Sequence, residues 1–273
     1  MIRKVIVFPT FRCGLNCPYC KWDLQEDDTS SWYRPSEKKY EVKKEMTAEE
    51  LMYLMDSFVP AKFEFSGGGE PLKFKGIETI LNSLSTWAIT SNTVQDLSKI
   101  NLSNCYSWTA SFHPHISEPA KEKFLSNLKL LTDKIQTVNV TLVVHPDNIT
   151  GIDNWIDKFI ELGASPHLHL YYDDPSFSWN SNENKKLLKT LKHKELIWYN
   201  DMLYEYKGLC GKPDCEGGHS YFFIGPDGKV FRCLTQLTYQ WENALKGIEF
   251  ETFKCNHQCY FPCDWIYRNK GGQ

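Results

Sequence analysis

Long apolar runs are missing from this sequence. No stretch of the 273 residues approaches the roughly 20 consecutive apolar positions that carry a helix across a bilayer, so no membrane partner is expected. The N-terminus, Met1-Ile2-Arg3-Lys4-Val5-Ile6-Val7-Phe8, starts with positive charge, but its apolar part is too short for a secretory signal and Pro9 ends it. An excess of one charge is missing too. With 31 Lys and Arg against 34 Asp and Glu, the formal net charge is -3, which leaves no basic footprint and makes nucleic acid an unexpected partner. The run Gly67-Gly68-Gly69 is not followed by Gly-Lys-Ser/Thr, which excludes a P-loop.

Cysteine is abundant, with ten residues. In a chain without a secretion signal, that number points to metal or redox chemistry in the cytoplasm rather than to a disulfide framework. Aromatic residues at 14%, with ordinary Leu, Ile and Val content, describe a globular protein. Its length fits one large domain, or one domain with an appendage.

Three of the cysteines sit together in Arg12-Cys13-Gly14-Leu15-Asn16-Cys17-Pro18-Tyr19-Cys20, at C-x3-C-x2-C spacing directly after a short apolar strand. A structural zinc site is the plain alternative, but such sites close a four-ligand tetrahedron, and no Cys or His occurs between Lys21 and Asn104. Three thiolates one ligand short suit a [4Fe-4S] cluster that keeps one iron open for a small molecule. The spacing, with the aromatic Tyr19 between the last two cysteines, resembles the radical S-adenosylmethionine (radical SAM) family. That resemblance implies that Cys13, Cys17 and Cys20 hold the cluster, and that its open iron chelates SAM. One electron then cleaves SAM to methionine and a 5′-deoxyadenosyl radical, which abstracts hydrogen from a substrate.

Hydrophobic periodicity gives the rest of the order. Val5 to Phe8 predicts a first strand, and Lys21 to Lys44 reads as a solvated insertion or a lid over the cysteine loop. Thr47-Ala48-Glu49-Glu50 is a capping box that opens a helix from about Met46 to Phe58. Strands follow at Lys62 to Phe65, Thr86 to Thr90, Tyr106 to Phe112, Gln136 to Val144 and His167 to Tyr172. Helices are expected over Ile77 to Leu84, from a Ser117 cap through Leu131, and from Ile149 to Ile160 with Gly163 closing the last. Six strands with intervening helices predict right-handed βα units in an α/β fold, a parallel sheet or partial barrel. Chemistry in such folds collects at the carboxyl ends of the strands. The cysteine loop, Ser66-Gly67-Gly68-Gly69-Glu70-Pro71, Thr90-Ser91-Asn92, Ser111-Phe112-His113-Pro114-His115, His145-Pro146 and Tyr171-Tyr172-Asp173-Asp174 all fall there.

Three glycines at a strand end let a ligand lie against bare backbone, with Glu70 the only charge in the run. Gly68-Gly69-Glu70-Pro71 resembles the Gly-Gly-Glu-Pro of radical SAM proteins, which implies a contact to the SAM amino group. The same resemblance, to a (β/α)6 partial TIM barrel core covering roughly Met1 to Asp174, makes Ser91, Asn92 and Ser111 candidates for the SAM ribose and carboxylate. It sets Tyr19 near the adenine through its backbone. His113, His115, His145, His167 and His169 are candidate substrate-side polar groups or proton acceptors, His113 foremost. Strand-end histidines are also commonly hydrogen-bonded residues without a chemical role. Cys105 reads as a buried, inert thiol.

After a helical stretch from about Asn182 to Tyr206 come six more cysteines: Cys210, Cys215, Cys233, Cys255, Cys259 and Cys263. A hairpin, Tyr221 to Ile224 and Lys229 to Phe231 turned at Pro226-Asp227-Gly228, separates Cys215 from Cys233. Zinc is one reading of such a group. The arrangement also resembles the small SPASM/twitch domain of radical SAM enzymes, which implies a core over 1–206 and a cysteine-rich domain over 207–273. The full SPASM pattern has a C-x2-C that this chain lacks, so one auxiliary [4Fe-4S] cluster is expected. Cys215 and Cys233 would bind it, with Cys263 and one or more of Cys210, Cys255 and Cys259 completing the set. A spare thiol could return a hydrogen atom to a substrate radical.

The resemblance implies two substrate classes, a ribosomally made peptide or a small molecule such as a sugar alcohol, and an electron donor of flavodoxin or ferredoxin type. Such extensions are most frequent in peptide maturases, which favours the peptide, although the chain starts directly at its first strand without a leader-binding domain. A glycyl-radical activating enzyme is disfavoured by the absence of ferredoxin-like cysteines between the cysteine loop and Gly67. A molybdopterin-pathway cyclase is disfavoured because Gly271-Gly272-Gln273 reads as a loose tail. Outside enzymes, the rival is a zinc-binding interaction module.

Overall fold

Short β-branched and aromatic runs form the sheet that organises the protein. The structure, a computed structural model, describes residues 4–18, 20, 22–23, 31–33, 38–40, 42, 44–170, 181–197 and 221–231. The main strands are β1 (Lys4–Val7), β5 (Lys62–Phe65), β6 (Trp87–Ser91), β7 (Cys105–Phe112), β8 (Val138–Val144) and β9 (Ser165–Leu170). They pair in parallel and lie side by side in chain order. That order, in an α/β sheet wound in one direction, makes a partial TIM barrel.

The pleat sorts the residues between two faces. Trp108, Ala110 and Phe112 on β7, and Val138, Val140, Leu142 and Val144 on β8, are buried. Phe112 meets Phe124 of α3 (Glu118–Lys134) with ring centroids 5.0 Å apart, and Phe159 of α4 (Ile152–Glu161) at 5.1 Å. Thr109, Ser111, Asn139, Thr141 and His167 alternate onto the other face and are only half-buried. Register aligns Ser111 with Thr141 and Thr141 with His167, so polar groups run across three strands.

Helix ends follow their local chemistry. Before α1 (Ala48–Asp56), Thr47 Oγ1 accepts from the Glu50 N–H at 3.2 Å and Glu50 Oε2 from the Thr47 N–H at 2.8 Å, the expected capping box. Ser117 occupies the cap position of α3, but its side chain makes no capping bond; Pro119 in the first turn shapes that entry instead. α4 starts three residues later than expected because Ile149 to Gly151 form a turn, Ile149 N–H donating to the His145 carbonyl at 3.0 Å. It ends at Gly163, φ +82, with Gly163 N–H on the Ile160 carbonyl and Ala164 N–H on that of Phe159.

Three expectations are corrected. First, α2 (Ile77–Ser83) is followed after β6 by no α-helix: the β6–β7 connection holds only a 3-10 turn, Leu102–Asn104, tethered by Asn82 through Lys99 and Asn101. Second, α5 runs only over Asn182–Thr190. The chain then folds back on α4, where Asp153 accepts from the Lys192 and His193 N–H groups and Asp157 meets the Lys192 and His193 side chains; residues 198–206 lie outside the described residues. Third, the hairpin of β10 (Tyr221–Ile224) and β11 (Val230–Phe231) is part of the main sheet. β10 lies parallel to β1, Val5 opposite Phe222 and Val7 opposite Ile224, with β11 antiparallel on its outer side. The Lys21 to Lys44 stretch carries a separate antiparallel sheet of β2 (Trp22–Asp23), β3 (Ser31–Tyr33) and β4 (Lys38–Tyr40).

Candidate active site

The carboxyl ends of β1, β5, β6 and β7 meet in one place. From β1 the chain enters the cysteine loop, where Cys20 N–H donates to the Cys17 carbonyl at 3.0 Å and Asn16 takes a left-handed φ of +44, a conformation Asn tolerates. Cys13, Cys17 and Cys20 are each half-buried. The Cys17 thiol is pushed up to about 12, by burial first and then by negative charge on Cys20 and Cys13. Crowded thiolates need a cationic centre before all can ionise together. Three half-buried thiols on one loop are donors for a four-iron cluster, which spreads its thiolates over different irons. This donor set fits such a cluster.

The glycine run after β5 packs directly on this loop. Glu70 N–H donates to the Arg12 carbonyl at 2.9 Å. A Cβ on Gly69 would lie 2.6 Å from both the Thr10 oxygen and the Phe11 carbonyl carbon. The space beside Gly69, expected for a ligand, is therefore filled by the backbone that leads into the cysteines. Gly68 is buried within the same turn.

Glu70 itself points inward. Its carboxylate is buried and accepts from Ser91 Oγ at 2.8 Å, the Asn92 N–H at 2.7 Å and the Leu72 N–H at 3.1 Å. Burial raises its pKa against these three donors, which hold it down. Ser91 Oγ also accepts from the Thr93 N–H at 2.9 Å, so its proton and one of its two lone pairs are used inside the protein. Asn92 is different: its Oδ1 accepts from Val94 N–H at 3.2 Å, while its buried Nδ2 has no partner among the described residues. Buried donors rarely stay unpaired, so this amide calls for an acceptor.

Three residues that sequence reading passed over hold this corner. Thr93 has φ +60, strained for a β-branched residue. Its Oγ1 donates to the Ser91 carbonyl and accepts from Trp108 Nε1, and its carbonyl accepts from Asn127 Nδ2, which also reaches the Gln95 carbonyl. A buried Asn on an otherwise apolar helix face was the one sign of this network in the sequence.

From β7, His113 brings Nδ1 to 3.4 Å from Cys17 Sγ, and His115 Nε2 lies 3.3 Å from the Leu15 carbonyl. Burial, then the charge of His115, pulls the His113 pKa down to about 4, so its imidazole is neutral near pH 7. Ser111 receives a 3.3 Å hydrogen bond from Thr141 Oγ1 on the half-buried face. His167 faces Asn139 Oδ1 at 3.3 Å, and burial lowers its pKa. A cleft of about 400 Å³ opens beside the cysteine loop, between Pro18, Pro114, His115, His145 and Trp155. Cys105 is buried, donates to the Ser107 carbonyl and has its thiol pushed up to about 12 by burial. Tyr19 and the cysteines at 210, 215, 233, 255, 259 and 263 lie outside the described residues.

No protein-family model matches this chain, and no curated protein matches its sequence. Its fold, however, is similar to that of SuiB from Streptococcus suis. A structure of SuiB bound to precursor peptide SuiA superposes with a TM-score of 0.56 at 12% identity, covering 87% of this chain and 60% of SuiB. SuiB bound to S-adenosylmethionine gives 0.56 at 13%, covering 88% and 61%, and a further SuiB structure gives 0.54 at 13%. The chain thus spans about three fifths of SuiB's length. Among the described residues no helix is long and apolar enough to cross a membrane.

Proposed function

We propose that this chain is a radical SAM enzyme that modifies a peptide. The observation that carries the reading is the meeting of the three-thiol loop with the Gly-Glu turn and the β6 end, through Glu70 N–H on the Arg12 carbonyl and Asn92 N–H on Glu70. When bound, a [4Fe-4S] cluster would supply the electron for reductive cleavage of SAM, the chemistry that leads to hydrogen abstraction from substrate. Cys13, Cys17 and Cys20 would hold that cluster. The buried Asn92 Nδ2 donates to a carboxylate or ribose oxygen of SAM, and Glu70 and Ser91 fix the Asn92 backbone rather than touching SAM with their side chains. Tyr19, Gly68 and Ser111 complete the SAM side by resemblance. In this reading the C-terminal cysteines bind one auxiliary [4Fe-4S] cluster, and a flavodoxin or ferredoxin-type protein supplies electrons.

A peptide substrate is supported by SuiB, which shares the fold and binds precursor peptide SuiA. The cleft beside Pro18 adds room for a side chain next to the cysteine loop. The decisive experiment is anaerobic reconstitution followed by SAM and dithionite. We expect a brown protein with about eight irons per chain, two four-iron clusters, and reductant-dependent release of 5′-deoxyadenosine. Replacing Cys13, Cys17 and Cys20 with Ala should abolish that release and leave about four irons. A colourless protein holding zinc would instead identify a zinc-binding interaction module, and turnover of a sugar alcohol without any peptide would reassign the substrate.

A further inference from the structure

His113 stands where it can act on the cysteine loop itself. Its Nδ1 is 3.4 Å from Cys17 Sγ, within range for an N–H···S hydrogen bond. Contacts on both loops fix that approach. His115 Nε2 is 3.3 Å from the Leu15 carbonyl; a carbonyl only accepts, so this nitrogen carries the proton and ties the loop after β7 to the cysteine loop. Ile116 N–H donates to the His113 carbonyl at 3.1 Å, closing a turn around Pro114. The His113 and His115 rings meet edge to face, 5.9 Å between centroids.

We infer that His113 is a positioning residue that donates an Nδ1–H···S hydrogen bond to the Cys17 thiolate and so raises the reduction potential of a cluster held there, an assignment that rests on the radical SAM reading. The tautomer follows from the partner. A bare Nδ1 would set its lone pair against those of a thiolate, whereas Nδ1–H is attracted to it. A donor to a ligating sulfur favours the reduced, more electron-rich state over the oxidised one, so losing it lowers the potential. Water entering the same gap acts oppositely, because it also solvates the more highly charged reduced state. The sign of the shift therefore separates a lost hydrogen bond from a loosened pocket.

The test compares the reconstituted full-length protein with His113→Leu and His113→Asn, matched first for iron and absorbance, by EPR-monitored redox titration without SAM. Asn keeps an N–H donor at about the Nδ1 position. We expect His113→Leu to weaken the reduction equilibrium about tenfold, about 59 mV more negative for one electron, and His113→Asn to stay close to wild type. With 15N-histidine labelling, pulsed EPR of the reduced wild-type cluster should show a histidine nitrogen coupling that His113→Asn abolishes; if the Leu variant cannot hold the cluster, this measurement and the Asn variant decide. No histidine coupling in the wild type, an unchanged or more positive potential in His113→Leu, or an Asn variant that behaves like Leu, each overturns the assignment while the cluster itself stands. Failure of the wild type to take up iron overturns the radical SAM reading along with it.

Discussion

Glu70 cannot become Gln without loss, because whichever way the amide is turned it meets a donor. One carboxylate oxygen faces the Asn92 N–H and the other the Leu72 N–H and Ser91 Oγ. Glu70→Gln therefore sets an NH2 against a buried N–H, and should destabilise the protein by about 2 kcal/mol in denaturant titration; an unchanged midpoint would show that the latch carries no stability. Cys105 is the opposite case. Its thiol is buried and bonded to the Ser107 carbonyl, so Cys105→Ala should cost about 1 kcal/mol and leave iron content and SAM cleavage intact, unlike any change at Cys17. At this scale, residues that act through local spacing were legible. The three cysteines, the glycine run and Glu70 announced a site because adjacent backbone brings them together. Thr93, Trp108 and Asn127 were not legible, since their partners are carbonyls and hydroxyls 15 to 34 positions away. Nothing in the local sequence around Ser91 signals that its hydroxyl donates to Glu70, 21 positions away.

At the scale of elements, the turn after β5 crosses the start of the cysteine loop at close range. Gly69 is required there for packing, not for flexibility: an added Cβ would press on the backbone of Thr10 and Phe11, which cannot swing aside as a side chain could. Gly69→Ala should cost at least about 2 kcal/mol and disturb cluster uptake, measurable as a lower melting midpoint together with fewer irons after reconstitution. Gly163→Ala, at φ +82 but with only the Thr132 Cβ nearby at 3.9 Å, should cost about 1 kcal/mol from conformation alone and leave iron uptake unchanged. The contrast separates a glycine that admits another chain segment from one that ends a helix. Strands and helix starts were readable because their signals, alternation and caps, lie within the element. The early end of α5 was hidden, because Asp153 and Asp157 on α4 set it from 35 to 40 residues away.

At the largest scale, the main sheet is held together across the boundary that sequence drew at residue 206. Reading cysteines as a separate appendage put the hairpin at 221–231 outside the core, yet β10 is the parallel neighbour of β1, the strand that delivers the cysteine loop. Phe8 N–H donates to the Ile224 carbonyl and Met46 N–H to that of Pro226, each at 2.8 Å. Phe222, Phe223, Ile224 and Val230 are all at most 4% exposed. Sheet edges are chosen by tertiary pairing rather than by local pattern, so a hairpin signal says that two strands meet and not which third strand they join. Burying four such side chains contributes about 6 to 12 kcal/mol, comparable to the roughly 5 to 15 kcal/mol that stabilises a whole domain. A chain ended after Tyr206 is therefore expected to lose cooperative folding: its near-UV circular dichroism should collapse and most of it should be insoluble, because β1 becomes an open edge. If that truncated chain melted as cooperatively as the full protein and still took up iron at Cys13, Cys17 and Cys20, the hairpin would be an ornament on the sheet rather than one of its walls.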